Sequence, residues 1–260
     1  MPPPPDVTAV AATLRRAGCV FAEDEARLLI DAGRTPGDLA DSVRRRAAGE
    51  PLEHVLGWTE FRGLRIHVAP GVFVPRRRSE FLVDRAVALA VPGAVVVDLC
   101  CGSGALGAAV AAAVAEVELH AADLDPAAVQ CARRNLAALG GHVYEGDLYD
   151  ALPAGLRGRV HLLLANVPYV PTSDLALLPA DAREHEARIA LDGGADGLDV
   201  LRRVAVAAGR WLAPGGHLLV ESSEQQADGI AACFDRSGLA PQVVHSDDDF
   251  ATVVVGTAPR

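Results

Sequence analysis

The sequence predicts an α/β fold, in which a mostly parallel sheet is covered by helices on both faces and carries antiparallel pairing at one edge. From Ala94 onwards, short apolar runs alternate with segments of helical periodicity. This alternation is typical of parallel strands that are joined by right-handed helical crossovers. Before residue 50, in contrast, the apolar residues recur only at helical spacing. A small helical unit is therefore expected to precede the sheet.

The front of the chain is predicted to fold into three helices. The first follows Asp6 and ends near Gly18, the second ends at Gly33, and the third runs from about Asp38 to about Ala48. Acidic residues before a helix and glycines after it are the usual boundary residues.

A connector with a β-hairpin is predicted after these helices. Alternating polar and apolar residues surround Gly63 and the Pro70-Gly71 pair, as in short paired strands. We expect three parts in the chain: a helical domain (1–52), a β-hairpin linker (53–80) and a sheet domain (81–260).

Seven strands are predicted in the sheet domain. In chain order they are AVVVDL, VELHAADL, HVYEGDL, VHLLLANV, HLLVES, PQVVHS and TVVVGT. Because only the short segment 247–250 joins the last two strands, these two are predicted to pair antiparallel.

The charge distribution argues against a nucleic-acid partner. The 260 residues carry a formal net charge of −10, which divides into +1 for residues 1–89 and −11 for residues 90–260. A protein that binds nucleic acid mainly through phosphates needs a concentrated basic face. The acidic sheet domain lacks that excess of basic residues.

Membrane, disulfide and metal-binding proteins are not indicated either. No apolar stretch reaches the roughly 18 uncharged residues of a membrane span, and the N-terminus does not resemble a signal peptide. We therefore expect a cytoplasmic protein without a membrane partner. The cysteines show no CxxC pair and no His at metal-ligand spacing, so no metal site is predicted; they are Cys19, Cys100, Cys101, Cys131 and Cys233.

Polar residues end the first four predicted strands, and ligands of doubly wound sheets bind at the carboxyl ends of the strands. These residues are Asp98, Asp123, Asp147 and Asn166. The turn after Asp98 has the sequence CCGSG, and its glycines, Gly102 and Gly104, let a ligand approach the backbone closely. Binding of a dinucleotide, binding of a nucleoside, or a tight turn without a ligand would each explain this glycine-containing turn.

Two carboxylates are candidates for binding a nucleoside. Asp123 can accept hydrogen bonds from both hydroxyls of a ribose; its structural alternative is a helix N-cap, a position that Asp125 fills better. Asp147 could bind an adenine amino group or act as a cap or turn residue. A carboxylate after the second strand argues against cofactors with a 2′-phosphate and leaves NAD or S-adenosylmethionine as candidates. Gly107 stands at the spacing of the third glycine of NAD-binding sites, so NAD is not excluded.

The fourth strand ends in Asn166-Val167-Pro168-Tyr169. A strand that enters a proline turn would explain this pattern structurally. The stretch nevertheless resembles the Asn-Pro-Pro-Tyr signature of the class I S-adenosylmethionine methyltransferases that modify planar amino groups. Among them it is most similar to the protein glutamine N5-methyltransferases that act on peptide release factors. The resemblance covers about residues 50–225 and includes PLEHVLGWTEFRGLRIHVAPGVFVPRRRSE, DLCCGSGA and REHEARIALDGGADGLD.

This resemblance implies a Rossmann-like class I methyltransferase fold, S-adenosylmethionine as the cofactor, and a protein glutamine in a class I release factor as the acceptor. The helical domain would present that protein to the pocket. The implied cofactor-binding residues are Asp98, Cys100, Cys101, Gly102, Ser103, Gly104, Asp123, Asp147, Leu148 and Asn166.

The implied catalytic residues are Asn166, Val167, Pro168 and Tyr169. An amide nitrogen is a poor nucleophile because its lone pair is delocalised. The side-chain oxygen of Asn166 and the main-chain carbonyl of Val167 would accept its two N–H bonds, and Tyr169 would pack on the flat face of the amide. Pro168 holds residue 167 extended.

Three residues depart from the family pattern. Val167 replaces a proline but offers the same carbonyl, so transfer is expected to be retained. Cys100 replaces a glycine and narrows the cofactor turn, and Arg78 replaces an acid. Val167 and Arg78 indicate an altered pocket or acceptor.

Two other functions stay open. The same motif suits amino methylation of a nucleic-acid base or a small metabolite. A non-catalytic cofactor-binding protein is compatible with Val167 and Cys100, although the intact Asn166, Pro168 and Tyr169 argue against it.

Overall fold

The computed structural model describes residues 6–32 and 35–260. Gly33, the predicted end of the second helix, lies outside these residues. The front unit consists of helices α1 (Val7–Arg16), α2 (Ala22–Asp31), α3 (Pro36–Ala47) and the short α4 (Leu52–Leu56). Asp6 caps α1 by accepting a hydrogen bond from the backbone N–H of Thr8, and Thr35 and Asp38 form a capping box at the start of α3.

This front unit has an apolar core of its own. Buried residues of α1, α2 and α4 form it, namely Ala11, Leu14, Ala22, Ala26, Leu29, Val55 and Leu56, together with Cys19. The arginine run of α3 does not form a free basic face, because Arg44, Arg45 and Arg46 pair with Asp41, Glu50 and Glu25. Since α4 crosses residue 52 and packs in the front core, the exact division at 52/53 stays a prediction.

The predicted hairpin lies on either side of Gly63. Strands β1 (Trp58–Phe61) and β2 (Leu64–His67) pair antiparallel, and the two residues between them, Arg62 and Gly63, have φ values of +48° and +72°. Positive φ at both positions is what a tight two-residue hairpin turn requires. Within the described residues, the Pro70-Gly71 region forms no second hairpin; Gly71 pairs with Glu186 in an isolated bridge.

Helices and strands then follow in alternation. They are α5 (Glu80–Leu89), β3 (Val95–Leu99), α6 (Ala105–Ala113), β4 (Glu118–Asp123), α7 (Pro126–Leu136), β5 (His142–Glu145), β6 (Val160–Ala165), α8 (Ala180–His185), α9 (Asp199–Ala208), β7 (Leu212–Ser222), α10 (Glu224–Arg236), β8 (Ala240–Ser246) and β9 (Ala251–Thr257).

The seven strands form one sheet in the order β5-β4-β3-β6-β7-β9-β8. The first five strands of this order run parallel, and β9 is antiparallel to both β7 and β8. The predicted α/β fold is confirmed, and the antiparallel strand lies one position inside the edge. In the inner position almost all residues of β9 are buried, whereas β8 at the edge is largely exposed or half-buried.

Apolar cores cover both faces of the sheet. In β3, Val96 packs with α5, α6 and α7 on one face, and Val95 and Val97 pack with α9 and α10 on the other. Among the described residues, none of the helices combines the length and the apolar character that crossing a membrane needs.

Candidate active site

The loop after β3 has a backbone that admits close ligand approach. Cys100, Gly102 and Gly104 have φ values of +53°, +53° and +77°. A Cβ added at Gly102 would meet no atom within 4 Å, so this side of the loop is open. A Cβ added at Gly104 would lie 3.2 Å from the Cβ of Ala132, so Gly104 lets α6 pack closely on α7. Of the two glycines, Gly102 therefore faces the open space.

The neighbouring thiols of this loop point into different cores. Cys101 packs in the core beneath α6 and α7, whereas Cys100 packs against the core on the opposite face of the sheet. Burial raises the pKa of both thiols, and the nearby carboxylates raise it further. Both side chains are therefore packing groups in a neutral form rather than a redox pair.

Asp98 lies beneath the loop and is fully buried. Its Oδ2 accepts a hydrogen bond from the backbone N–H of Gly107 at 2.9 Å, and its Oδ1 has no partner among the described residues. Burial raises the pKa of this carboxyl to about 8, and Asp123 adds to the shift while the hydrogen bond from Gly107 opposes it. The carboxyl group is therefore mostly protonated at neutral pH.

Asp123 lies at the end of β4 and lines the cavity described below. Its Oδ2 accepts the backbone N–H of Gly102 at 2.8 Å, and its Oδ1 accepts that of Asp125 at 2.9 Å. Burial raises its pKa. Each carboxylate oxygen can accept more than one hydrogen bond, so the group keeps capacity for ligand hydroxyls. Asp125 caps α7 by accepting the backbone N–H of Ala127, as its sequence position predicts.

Asp147 and Leu148 follow β5 at the carboxyl ends of the parallel strands, where the loops after β3 and β4 also lie. The Oδ2 of Asp147 forms an ion pair with Arg203 of α9 at 2.6 Å. Leu148 is buried and has a φ of +48°, a conformation that non-glycine residues rarely adopt. Arg203 was not predicted as a site residue, because nothing in the sequence links α9 to the end of β5.

The Asn166-Val167-Pro168-Tyr169 segment, which we call the motif loop, follows β6. Among the described residues, neither the side-chain amide of Asn166 nor the carbonyl of Val167 takes part in a hydrogen bond. Both predicted acceptors are therefore available to a ligand. The carbonyl of Tyr169, two residues after Val167, is engaged, since it accepts from Nε2 of Gln226 at 3.0 Å.

Two glycines of the DGGADGLD segment pack directly against the backbone of the motif loop. A Cβ on Gly193 would come within 2.7 Å of the carbonyl oxygen of Pro168, and one on Gly197 would overlap that of Tyr169. Side chains at these positions would displace the motif loop. The glycine run is thus a sequence feature from which this support could have been predicted.

A partly buried ion pair joins the linker to the segment after the motif loop. Arg76 donates two hydrogen bonds to the carboxylate of Glu186, at 2.7 and 2.8 Å, and Glu186 also accepts the backbone N–H of Val74 at 3.1 Å. Burial raises the pKa of Glu186, whereas Arg76 lowers it. The backbone N–H of Ala187 donates to the carbonyl of Gly71 at 3.0 Å. Two distant segments are thereby held together.

These elements enclose a cavity of about 360 Å³. The predicted site residues that line it are Cys100, Cys101, Gly102, Ser103, Asp123, Asp147, Leu148, Asn166, Val167, Pro168 and Tyr169, whereas Asp98 and Gly104 lie behind its surface. One end, the cofactor end, is formed by the loops after β3, β4 and β5. The other, the acceptor end, is formed by the motif loop, linker residues 71–79 and residues 178–191.

Comparison with known proteins identifies the class of protein. Residues 63–182 match the family model described as methyltransferase small domain. The fold is similar to the solved structure of the 16S rRNA N2 G1207 methyltransferase of T. thermophilus in complex with AdoMet and guanosine. The TM-score is 0.55 at 21% identity, over 77% of this chain and 49% of that one. The sheet, its polar strand ends and the family-model match are those of the Rossmann-like methyltransferase fold class.

Curated relatives narrow the class to a family. The release factor glutamine methyltransferase of Geobacter sulfurreducens is 39% identical over 216 residues, which are 82% of this chain and 75% of that protein. The 4-amino-L-phenylalanine/4-methylamino-L-phenylalanine methyltransferase of Streptomyces pristinaespiralis is 36% identical over 214 residues, 80% of this chain and 73% of that protein. The chain belongs to the release factor glutamine methyltransferase family.

Proposed function

We propose that this enzyme transfers a methyl group from S-adenosylmethionine to the side-chain amide nitrogen of a protein glutamine, in a class I peptide release factor. The observation that carries the proposal is the pair of unused acceptors, the Asn166 amide oxygen and the Val167 carbonyl. They lie in the same cavity as the carboxylates at the ends of β4 and β5. The relative that is named release factor glutamine methyltransferase supports the same acceptor.

The acceptor end would act mainly by orienting the amide. Asn166 and the carbonyl of Val167 would each accept one N–H of the glutamine side chain, which fixes the nitrogen and favours a free lone pair. Tyr169 would cover the flat face of the amide and exclude water. The bound cofactor would supply the methyl group and keep the electron pair of the broken carbon–sulfur bond on its sulfur. The amide nitrogen, held by these two acceptors, would give up one of its two protons to solvent.

The cofactor end has the features that a nucleoside with a cationic side chain requires. Gly102 leaves open space, Asp123 can accept ribose hydroxyls, and Asp147 together with the backbone at Leu148 can meet an adenine edge. The unpaired Oδ1 of Asp98 adds a buried hydrogen-bonding group beneath the loop. The remaining residues that would hold the cofactor are Cys100, Cys101, Ser103, Gly104 and Asn166. S-adenosylmethionine supplies a methyl group on a positively charged sulfur, which needs no further activation.

A small aromatic amine is the second candidate acceptor. One relative at 36% identity is named for methylation of 4-amino-L-phenylalanine. The acceptor end is lined by apolar side chains, among them Phe73, Ile189 and Leu191. An aryl amine presents two N–H bonds in a plane, as an amide does, so the same two acceptors would orient it.

Mass spectrometry with matched acceptors tests the proposal. The purified enzyme and S-adenosylmethionine are incubated separately with a class I release factor, with the same factor carrying glutamate in place of the glutamine of its Gly-Gly-Gln loop, and with 4-amino-L-phenylalanine. We expect a gain of one CH₂ on the unmodified factor, located to that glutamine in the peptide spectra. Methylation of the amino acid alone would replace the first candidate by the second. Methylation of none, with S-adenosylmethionine bound, would reject both acceptors.

A further inference from the structure

Arg78 connects a buried carboxylate to the ring of the motif loop. Its Nε donates to Oε1 of Glu221 at 2.8 Å, and its terminal Nη2 donates to the phenol oxygen of Tyr169. Glu221 lies in β7 with its side chain almost fully buried, and its Oε2 accepts from the hydroxyl of Ser79. A single guanidinium therefore bridges β7 and the motif loop.

Glu221 is the more firmly held end of the bridge between β7 and Tyr169. A buried carboxylate needs hydrogen-bonding partners, and Ser79 and Arg78 provide one for each oxygen. The planar guanidinium, whose N–H groups are fixed in a fork, then has a donor left for Tyr169. The carbon at the centre of the guanidinium lies 6.0 Å from the centre of the Tyr169 ring. The ring of Tyr169 is thus linked to β7 through Arg78.

Burial and nearby charges shift the pKa values of Tyr169 and Arg78. Burial raises the pKa of the Tyr169 phenol, Glu221 raises it further, and Arg78 opposes both. Tyr169 and Glu221 in turn raise the pKa of Arg78 above its ordinary value, against the effect of burial. At neutral pH a cationic guanidinium therefore donates to a neutral phenol in this bridge.

We propose that Arg78 is a positioning residue of the acceptor end, which fixes the ring of Tyr169 beside Asn166 and Val167 by bridging it to Glu221. This inference rests on the proposed role of the motif loop in holding the acceptor. Arg78 also closes one side of the pocket, since it and Ser79 line the cavity next to Tyr169. Arg78, one of the three residues by which this chain departs from the family pattern, would thereby act on the shape of the acceptor end rather than on the cofactor end.

A double-mutant cycle tests whether Arg78 acts through Tyr169. We compare methylation of the accepted substrate by the unaltered enzyme, Arg78→Lys, Tyr169→Phe and the double variant. Lysine keeps a positive charge opposite Glu221 but lacks the fork that reaches both partners. Each single variant should lower kcat by about tenfold, since small displacements of a positioned reactant have effects of this order or larger. The double variant should lose no more than the larger single loss, with the affinity for S-adenosylmethionine unchanged. Losses that multiply, or a fully active Arg78→Lys, would overturn the proposal.

Arg77 provides the matched control. It is the exposed neighbour of Arg78, and Arg77→Lys makes the same exchange one position away without touching the bridge. We expect unchanged kinetics for this variant. If Arg77→Lys lowers kcat as much as Arg78→Lys, the loss reflects a general effect of substitutions in the linker, and the specific role of the bridge is rejected.

A spectroscopic measurement separates the bridge from the proposed function. The chain contains three tyrosines, so 3-fluorotyrosine labelling gives few ¹⁹F signals, and Tyr169→Phe assigns one of them. Arg78→Lys should shift that signal and leave the signals of Tyr144 and Tyr149 in place. An unmoved Tyr169 signal rejects the bridge even if the enzyme is active. A shifted signal in an enzyme that methylates no tested acceptor would instead leave the bridge standing and reject the proposed acceptors.

Discussion

The cofactor end and the acceptor end of the cavity are assembled in different ways. At the cofactor end, the polar groups follow their own strands, and Asp98 and Asp123 are held by backbone N–H groups of the adjoining loops, as Asp123 is by those of Gly102 and Asp125. At the acceptor end, side chains from distant segments hold one another, as Arg76 and Glu186 do across 110 residues. The first end depends on strand order and loop conformation, and the second on long-range pairs.

Because of this difference, the two ends of the cavity can change independently of each other. The loops of the cofactor end are fixed by the parallel sheet, so substitutions elsewhere should leave them in place. The acceptor end depends on a few buried charges, and replacing one of them changes the position of its partner. Changes such as Val167 and Arg78 can therefore alter the acceptor without altering cofactor binding. The predictions below test that separation, beginning with the largest effect.

Asn166→Ala should remove transfer without removing cofactor binding. The substitution deletes one of the two acceptors for the N–H bonds, and loss of one such group in a preorganised site lowers kcat by about 10² to 10³. The measurement is the initial rate of methylation, with the affinity for S-adenosylmethionine determined by calorimetry. Asn166→Asp keeps an acceptor oxygen and should retain more of the rate. Undiminished turnover of Asn166→Ala would contradict the mechanism.

The same difference explains how much could be predicted from the sequence. The strands and the strand-ending residues Asp98, Asp123 and Asn166 could be predicted because apolar runs and their last polar residue are local patterns. The capping of α7 by Asp125 was local as well. The bond between Ser79 and Glu221 spans 142 residues, and no pattern within either segment specifies the other.

One detail of the sheet could not be predicted from the sequence for a similar reason. The short connection between β8 and β9 predicts that they pair with each other, but it does not say which of them lies next to β7. That choice depends on burial over the whole sheet, where the apolar β9 gains more than β8 by lying inside. Long-range packing, rather than the local pattern, set this part of the order.

The second prediction concerns pH and a residue of the cofactor end. Burial raises the pKa of Asp98 from 3.8 to about 8, so the folded protein holds a proton that the unfolded chain releases between these values. The folded state then binds more protons, and the contribution of Asp98 lowers stability as pH rises through this window. The slope is at most about 1.4 kcal/mol per pH unit for one proton.

Urea unfolding of the protein without cofactor at several pH values measures this contribution. Asp98→Asn should flatten the decline between about pH 4 and pH 8, because it cannot ionise. Asp235→Asn, at an exposed position in α10, controls for the loss of a carboxylate elsewhere. An unchanged slope in Asp98→Asn would mean that this carboxyl does not carry the proton.

The smallest effect is expected at the ion pair between Asp147 and Arg203. Both side chains are about half exposed, at 44% and 55%, and exposed ion pairs contribute about 0.2 to 1 kcal/mol. Arg203→Met should therefore weaken S-adenosylmethionine binding by at most about fivefold. Arg202→Met is the matched control on the same helix, since Arg202 pairs with Asp196 and Asp199. A much larger loss in Arg203→Met alone would show that the cofactor end, too, depends on a long-range charge pair, and the contrast between the two ends would then fail.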